Sequence, residues 1–531
     1  MTTGHKAVAF VMMALAFACQ SGCSSSQAQT AVPVAKPGTT DAGVFDIKSF
    51  GAVGDGTTLD TDAINKAIAA ANAGGGGTVR FSPGTYLSAS IHLKSNITLD
   101  IGRGAVLLAA SQTVAPFDAP EPNPAGRYQD FGHSHWHNSL IWGDGLENIS
   151  IKGEGLIYGK GLDCGRDDAG KFRDPPKNAG NKAIALKNCH NVTLRDFSIL
   201  HGGHFGILAT GADNMTIDNL KIDTNRDGMD IDCCHNVRIT QCSVNSPWDD
   251  GICPKSTDAL GAVRALDDLT IDNCFVTGGL VEGTLIDGTF KRAPAKYASR
   301  NGRIKLGTES DGDFKNITIS NCVFDDSGGL ALESVDGGTI ENVTITNIAM
   351  RDICNSPIFI RLGSRLRGPG NPVVGAIRRV NISNIVVSGA DQRLGSIITG
   401  VPGHPVKDIH ISNMQISQAG GGTKQEAAAR PPEKEADYPD PGMFGAMPSY
   451  GFYIRHATGI ELTNVQVLTQ KPDARPAFVL DDVNGADFQH VKWQPGAPGS
   501  AFTLQNVIDF DAILCPALPD TRIKQTDNQQ F

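Results

Sequence analysis

Asp227, Asp249 and Asp250 are the residues of this sequence best suited to do chemistry. They fall in TNRDGMDIDCCHNVRITQCSVNSPWDDGICPKS, from Thr224 to Ser256, with the pair twenty-two residues after the first. Crowded carboxyl groups repel, so one keeps its proton at a pH where its neighbour is ionised. The protonated group can serve a leaving oxygen while a carboxylate deprotonates water. That is the division of labour for cleaving a glycosidic bond with inversion, given a separation of roughly 6.5–9.5 Å. Asp230, three residues after Asp227, lines the same strand. The same acids would otherwise hold calcium or solvate a strand.

What must position these groups is a repeat. An Asn-apolar-polar-apolar motif recurs as NITL at 96, NISI at 148, NVTL at 191, NMTI at 214, NVRI at 236, DLTI at 268, NITI at 316 and NVTI at 342. Looser copies stand at 379, 408 and 459, and the closest steps are 23, 22 and 26 residues. One alternating strand per 22–26 residues is too short a period for a strand-helix array, and no leucine-dominated consensus supports a leucine-rich repeat. Each coil buries its apolar side only by stacking on the next. The fold class that follows is all-β, a right-handed parallel β-helix. On it, a coil-length offset puts Asp227 beside Asp249 and Asp250, about 4.8 Å apart along the stack. Asp60 or Thr61 caps a helix running to about Ala73 and ended by Gly74 to Gly77, a plug for the open N-terminal end.

The opening FDIKSFGAVGDGTTLDT, the coil repeat and the RDGMDID…DDGICPKS pair together resemble family 28 glycoside hydrolases, the polygalacturonase family, over residues 45 to about 350. The resemblance implies a β-helix enzyme that hydrolyses pectin at galacturonate-containing linkages with inversion, needing no cofactor and no metal. It implies Asp249 as general acid, with Asp227 and Asp250 holding and deprotonating the water. Asn225-Arg226-Asp227 stands where the family has Asn-Thr-Asp, so Arg226 brings a cation to the rim. The family's Gly-His-Gly turn is missing; its place falls near Gly283 or near Asn301-Gly302. The family's Arg-Ile-Lys carboxylate-binding motif appears as Arg303-Ile304-Lys305, although a second register gives that place to Ala331-Leu332-Glu333. On either register Arg303 and Lys305 face the same way on one strand and form the expected clamp for an acidic sugar.

Further substrate contacts are expected from Lys255, in ICPKS after the acid pair, from His204, in HGGHFGIL one coil earlier, and from Asp230. Glu309, Glu333 and Asp336 are additional groove acids. The departures from the family pattern point to exo action or to a rhamnogalacturonan backbone. A calcium-dependent lyase and a non-catalytic carbohydrate-binding β-helix are the alternatives on the same fold.

The formal net charge of −10 argues against nucleic acid as partner; the expected partner is acidic pectic polysaccharide, and the chain is expected to be a monomer. Residues 1–23 read as an export signal, with Lys6 as positive flank and Ala7 to Ala18 as apolar core. Cys23, before Ser24-Ser25-Ser26, and Cys19 are the candidate lipidation sites of a periplasmic or cell-surface lipoprotein. Residues 24–44 form a flexible linker, 45–510 the catalytic β-helix and 511–531 a C-terminal tail. Cys242, Cys274 and Cys322 share one offset and stack as small inward residues, while adjacent Cys233 and Cys234 cannot both point inward. Residues 291–305 are basic without an acid. Residues 419–450 are a long loop whose Tyr438, Phe444 and Tyr450 are expected to pack across a groove.

Overall fold

The computed structural model describes residues 43–531 apart from 125–130, 167–170, 172, 295–299, 392 and 495–500. The expected export signal, most of the linker and part of the basic segment 291–305 lie outside the described residues.

The recurring Asn motif works through its backbone. Asn96, Asn148, Asn191, Asn214, Asn236, Asp268, Asn316 and Asn342 all adopt φ between 51° and 62°, the left-handed conformation that turns one strand into the next. Arg379, Asp408 and Gly459 do the same in the looser copies. The side chains then link along the stack: Asn148 donates to Asn96, Asn191 to Asn148, Asn214 to Asn191 and Asn236 to Asn214, at 2.7–3.0 Å. A short polar side chain tolerates positive φ and closes a ladder, which is why Asn recurs.

Strands pair in parallel with strands one coil away. The stack bearing the acidic cluster is numbered here as β1 (Lys182–Lys187), β2 (Phe205–Thr210), β3 (Asp227–Asp232), β4 (Ile252–Lys255), β5 (Ile304–Leu306), β6 (Leu330–Ser334) and β7 (Ile358–Leu362). Ile207, Met229, Ile252, Ile304, Leu330 and Ile358 are in register from one strand to the next and form one inward apolar column. All are buried. Because side chains alternate across a strand, fixing this column inward turns the residues between outward. Cys242, Cys274 and Cys322 lie in the core, as do their apolar neighbours. Cys234 joins them, while Cys233 points outward and donates to the Thr257 carbonyl. The ten described cysteines are unpaired to one another as disulfides.

Helix α1 (Thr61–Ala73) buries Ala63, Ile64, Ala67, Ile68 and Ala71 against the first coils and closes the N-terminal end. Its N-cap is Asp60, but that carboxylate accepts from the Val53 and Gly54 N–H groups instead of from the helix, pinning the preceding turn.

The C-terminal end departs from expectation. Residues 511–531 are not a tail: β8 (Phe502–Ile513) is the last coil strand and β9 (Thr521–Gln530) pairs antiparallel along it. A solenoid's final strand otherwise presents a row of unpaired backbone groups, and the chain end covers it.

Residues 419–450 also carry more order than a loop. They include α2 (Lys424–Ala427), held by a capping box between Thr423 and Glu426. Phe444 and Met447 pack on the outward face of the strands, against Ala331, Phe359, Ile397 and Tyr453. Phe444 and Tyr450 are therefore buried contacts and do not face a groove. Tyr438 alone of the three expected aromatics reaches the cavity described next.

Candidate active site

Strands β3 and β4 pair through Met229↔Ile252 and Asp230↔Cys253, a step of one coil. That register sets Asp227 beside Asp250, whose N–H donates to Asp227 Oδ1 at 3.2 Å. Asp249 precedes the strand and stays partly open, with 19% of its side chain exposed. These acids sit on the floor of a cavity of about 580 Å³, whose lining includes Asp227, Asp249 and Asp250 with Arg226, Lys255, Lys305, His204 and Glu309. The expected grouping on one surface is thus what the register produces.

The two registers open for Arg303-Ile304-Lys305 are distinguished by pairing. Ile304 on β5 stands next to Ile252, and Lys305 stands next to Ala331 on β6. The Arg-Ile-Lys strand therefore occupies the coil directly after the acid pair, and Ala331-Leu332-Glu333 the one beyond. The long sequence separation arises because the chain leaves the coil and returns, with Leu280–Glu282 and Lys291–Arg292 pairing antiparallel on the way.

Both cations of that strand are turned on Asp250. Arg303 Nε donates to Asp250 Oδ1 at 2.7 Å, and Lys305 Nζ lies 2.5 Å from Oδ2. Burial opposes the Asp250 charge, but Arg303 and Lys305 more than offset it and hold its pKa well below the ordinary carboxylate range. Burial likewise opposes the charge of Arg303 and Lys305, and Asp250 overcomes it in both. Asp227 is pushed the other way. Burial, then the charges of Asp249 and Asp230, raise its pKa well above the usual value, and Lys255 offsets only part of this. Two neighbouring carboxyls are thus driven apart: Asp250 ionised, Asp227 inclined to keep a proton.

Asp230, expected among the substrate contacts, lies under the floor instead. It is fully buried, 3.1 Å from His133 Nε2 and 3.7 Å from Lys255 Nζ. Lys255 donates to Glu309 at 2.9 Å. Burial resists the Lys255 charge, and Cys253, Glu309 and Asp230 together outweigh it, so the ammonium persists. Glu333 faces Thr308 at 2.8 Å and Arg303 at 3.8 Å, and burial raises its pKa. Asp336 is tied to Arg365 and leaves the cavity wall to other groups. His204 is buried at the cavity edge, its ring stacked on Phe205 at 4.2 Å between centroids. Arg226 reaches Asp249 Oδ2, with Nη2 at 3.3 Å and Nε at 3.4 Å.

Ligand atoms of His133, Asp227 and Asp230 lie within 4.8 Å of one another, as do those of Asp227, Asp250 and Cys253. Lys255, Arg303 and Lys305 already surround these acids, so a divalent cation would compete with fixed positive charge.

Several lining residues are not marked by any spacing in the sequence. His133 comes from a short 3-10 helix, Phe131–Ser134, and Arg166, Arg173 and Arg367 come from loops between coils. Trp248 is the exception in being adjacent to the acid pair; it lines the cavity and is 37% exposed.

Residues 44–274 match the family model for rhamnogalacturonase A/epimerase, pectate lyase-like. A probable polygalacturonase of Vitis vinifera is 26% identical over 386 residues, 70% of this chain and 73% of its own. The plasmin and fibronectin-binding protein A of Streptococcus pneumoniae is 32% identical over 182 residues, 33% of this chain and 23% of that protein. The solved family 28 exopolygalacturonase of Yersinia enterocolitica superimposes with a TM-score of 0.58 at 18% identity, over 85% of this chain and 79% of that one. The chain has a pectin-lyase-like β-helix fold. Polygalacturonases are among its relatives at low identity. The same relatives include a binding protein, so the function must be argued from the site.

Proposed function

We propose that the chain is a glycoside hydrolase that cleaves pectic chains at galacturonate-containing linkages by inversion. The observation that carries this reading is the gathering of three carboxyls on one cavity floor, with Asp249 open to the cavity and Asp227 accepting from the Asp250 N–H at 3.2 Å. A surface merely binding a neutral sugar has no need to concentrate three carboxyls and pay their repulsion with buried cations.

Asp249 is the donor to the leaving oxygen, because it is the member of the three that stands open to the cavity. Asp227 and Asp250 hold and deprotonate the water between them, and Asp227, whose pKa is the raised one, is the better resting place for its proton. Arg303 and Lys305 act in this scheme by keeping Asp250 ionised as its surroundings dry. Lys255, Asp230 and Glu309 brace the floor. Trp248 offers a flat apolar face on which a sugar ring can stack. Loop residues Arg166, Arg173 and Arg367 line the cavity, and exo action is the mode proposed for a groove walled in this way.

The test is an incubation of wild type and Asp249→Asn with homogalacturonan and rhamnogalacturonan oligosaccharides. Reducing ends and near-ultraviolet absorbance are followed together, with the anomer of the first product read by NMR. New reducing ends of inverted configuration, without absorbance, and a loss of roughly 100-fold or more in the variant are expected. Unsaturated products absorbing in the near-ultraviolet would move the chain to the lyases. Full activity in Asp249→Asn would remove that residue from the reaction.

A further inference from the structure

The outward face of the sheet that carries the acids changes character along the stack. The residue one position after the inward column is apolar on β1 and β2, where it is Ala185 and Leu208. It is Asp230 on β3, Cys253 on β4 and Lys305 on β5. It is apolar again on β6 and β7, where Ala331 and Phe359 follow Lys305 in register. Apolar outward positions call for a cover that keeps water off them, and each of the two stretches has one.

On the first stretch the cover is Trp136, fully buried on Ala185, Phe205 and Leu208. Its indole N–H donates to Thr210 at 3.1 Å, and its backbone N–H and that of His137 donate to Glu121 at 3.0 and 3.1 Å. Asn123 donates to the Ala259 carbonyl at 2.8 Å and so ties this cover to the segment that follows β4. On the second stretch the cover is the 419–450 segment, with Phe444 and Met447 on Ala331 and Phe359. Arg361 of β7 latches it. The buried guanidinium donates to the Glu433 and Lys434 carbonyls at 2.8 and 3.1 Å and to the Gly400 carbonyl at 2.9 Å. The Ser364 N–H donates to the Glu435 carbonyl at 2.7 Å. Tyr438 then comes down beside Lys305, its hydroxyl 3.4 Å from Nζ.

The cavity fills the interval between the covers. His133 and His204, both packed on Phe205, line one end, and Tyr438 and Arg367 line the other. Leu208 and Ala331 are four strand steps apart, about 19 Å at the usual strand spacing. A cavity of about 580 Å³ lies in the range that encloses one small molecule, which for pyranose rings means about two or three. A polymer bound in an open groove would run on along the stack over further coils. Here side chains of the protein itself occupy that path in both directions.

We infer that the site takes short pectic oligosaccharides, of about two or three units, and that a polymer chain does not lie across it along the stack. The inference rests on the pectic reading above and specifies the length of the substrate. It goes further than exo action, which needs a single closed end. Each turnover adds one water across one glycosidic bond, the hydroxyl to the anomeric carbon and the hydrogen to the leaving oxygen. A separate endo-acting cleavage of the polymer, by hydrolysis or elimination, must supply the substrate.

The test is the dependence of the specificity constant on length. Wild type is given oligogalacturonates and rhamnogalacturonan oligosaccharides as dimer, trimer, hexamer and polymer, and new reducing ends are counted per molecule. On the backbone that is cleaved, the constant should be highest for dimer or trimer and lower by about 10-fold or more for the hexamer. A constant that rises or stays level with length overturns the inference and leaves the pectic reading intact. No cleavage of either backbone at any length overturns both. Tyr438→Ala, shown by thermal melting to be folded, trims one end wall from an exposed position. It should raise the hexamer-to-trimer ratio of specificity constants by about 3-fold or more, a ratio in which any common effect on the chemistry cancels. An unchanged ratio would overturn the closure at that end, and with it the inference.

Discussion

Replacing Asp250 by Asn should destabilise the fold through what it leaves behind. Asp250 is a buried anion held between two buried cations, with Arg303 Nε at 2.7 Å and Lys305 Nζ at 2.5 Å. Asparagine keeps the shape and removes the charge. Lys305 then keeps Tyr438, whose hydroxyl is 3.4 Å away, and Arg303 keeps Glu333 at 3.8 Å. Arg303 also lies 3.9 Å from Asp440, but all these contacts are longer than the ones lost, so the cost should be that of breaking a buried pair, about 3–5 kcal/mol. Equilibrium urea titration, followed by fluorescence at pH 7, measures it. A second variant separates a stranded charge from a lost contact. Asp250→Asn combined with Lys305→Met should recover about 1–3 kcal/mol, because one of the two stranded cations is gone.

The pH dependence has a definite sign. The folded-state pKa of Asp250 is depressed, so its contribution is full above the unfolded value of about 3.9 and is lost as the pH falls through the folded value. The gap between wild type and Asp250→Asn should be flat from about pH 7 to about pH 5 and should close below about pH 4, by up to about 1.4 kcal/mol per pH unit. A gap under about 1 kcal/mol at neutral pH, or one that does not narrow in acid, would refute the view that Arg303 and Lys305 are held in place for Asp250.

Trp248→Ala should leave stability nearly unchanged, since the ring is 37% exposed, yet should raise the KM for oligosaccharide by roughly 5-fold to 10-fold, measured by initial rates; an unchanged KM would mean that no sugar ring stacks there. Asn214→Ala should cost about 1–3 kcal/mol in urea titration, because Asn214 sits at φ 51°, donates to Asn191 at 2.7 Å and accepts from Asn236 at 3.0 Å. Asn214→Gly should cost less than the alanine variant by about 1 kcal/mol, since glycine meets the backbone demand and loses the ladder alone.

Much of the fold was legible because its instructions are local. An Asn at the start of each motif both permits the left-handed turn and bonds to the next Asn, so the repeat states its geometry in the one-dimensional string. The inward column from Ile207 to Ile358 is likewise written in alternation. Asp227, Asp249 and Asp250 could be placed together because a register step equals a coil length, and the structure gives that step as 23 residues between Met229 and Ile252. The helix Thr61–Ala73 was fixed by its apolar spacing and the glycines after it. What failed locally failed for a reason outside the local pattern. Thr521–Gln530 looks like a polar end segment, and it becomes a strand because the last coil needs its backbone groups covered. Phe444 and Tyr450 looked like groove aromatics; Phe444 is buried because the outward face of the strands there is itself apolar, and Tyr450 because it joins the main core.

The sequence by itself determined the coil, the spacing of the three carboxyls and the identity of the cations near them, since each depends on residues at fixed short intervals. Only the tertiary structure decided which cation meets which acid. Arg303 and Lys305 read from the sequence as a clamp for substrate, and they meet Asp250 because the chain leaves its coil between residues 278 and 303 and comes back directly beside β4. His133, Arg166 and Arg367 entered the site by loop excursions whose direction no period encodes. Periodicity fixes neighbours along the stack, where backbone hydrogen bonding repeats. The electrostatics of the site depend on distances of a few ångströms between residues from different coils and loops, and those exist only once the whole stack has closed.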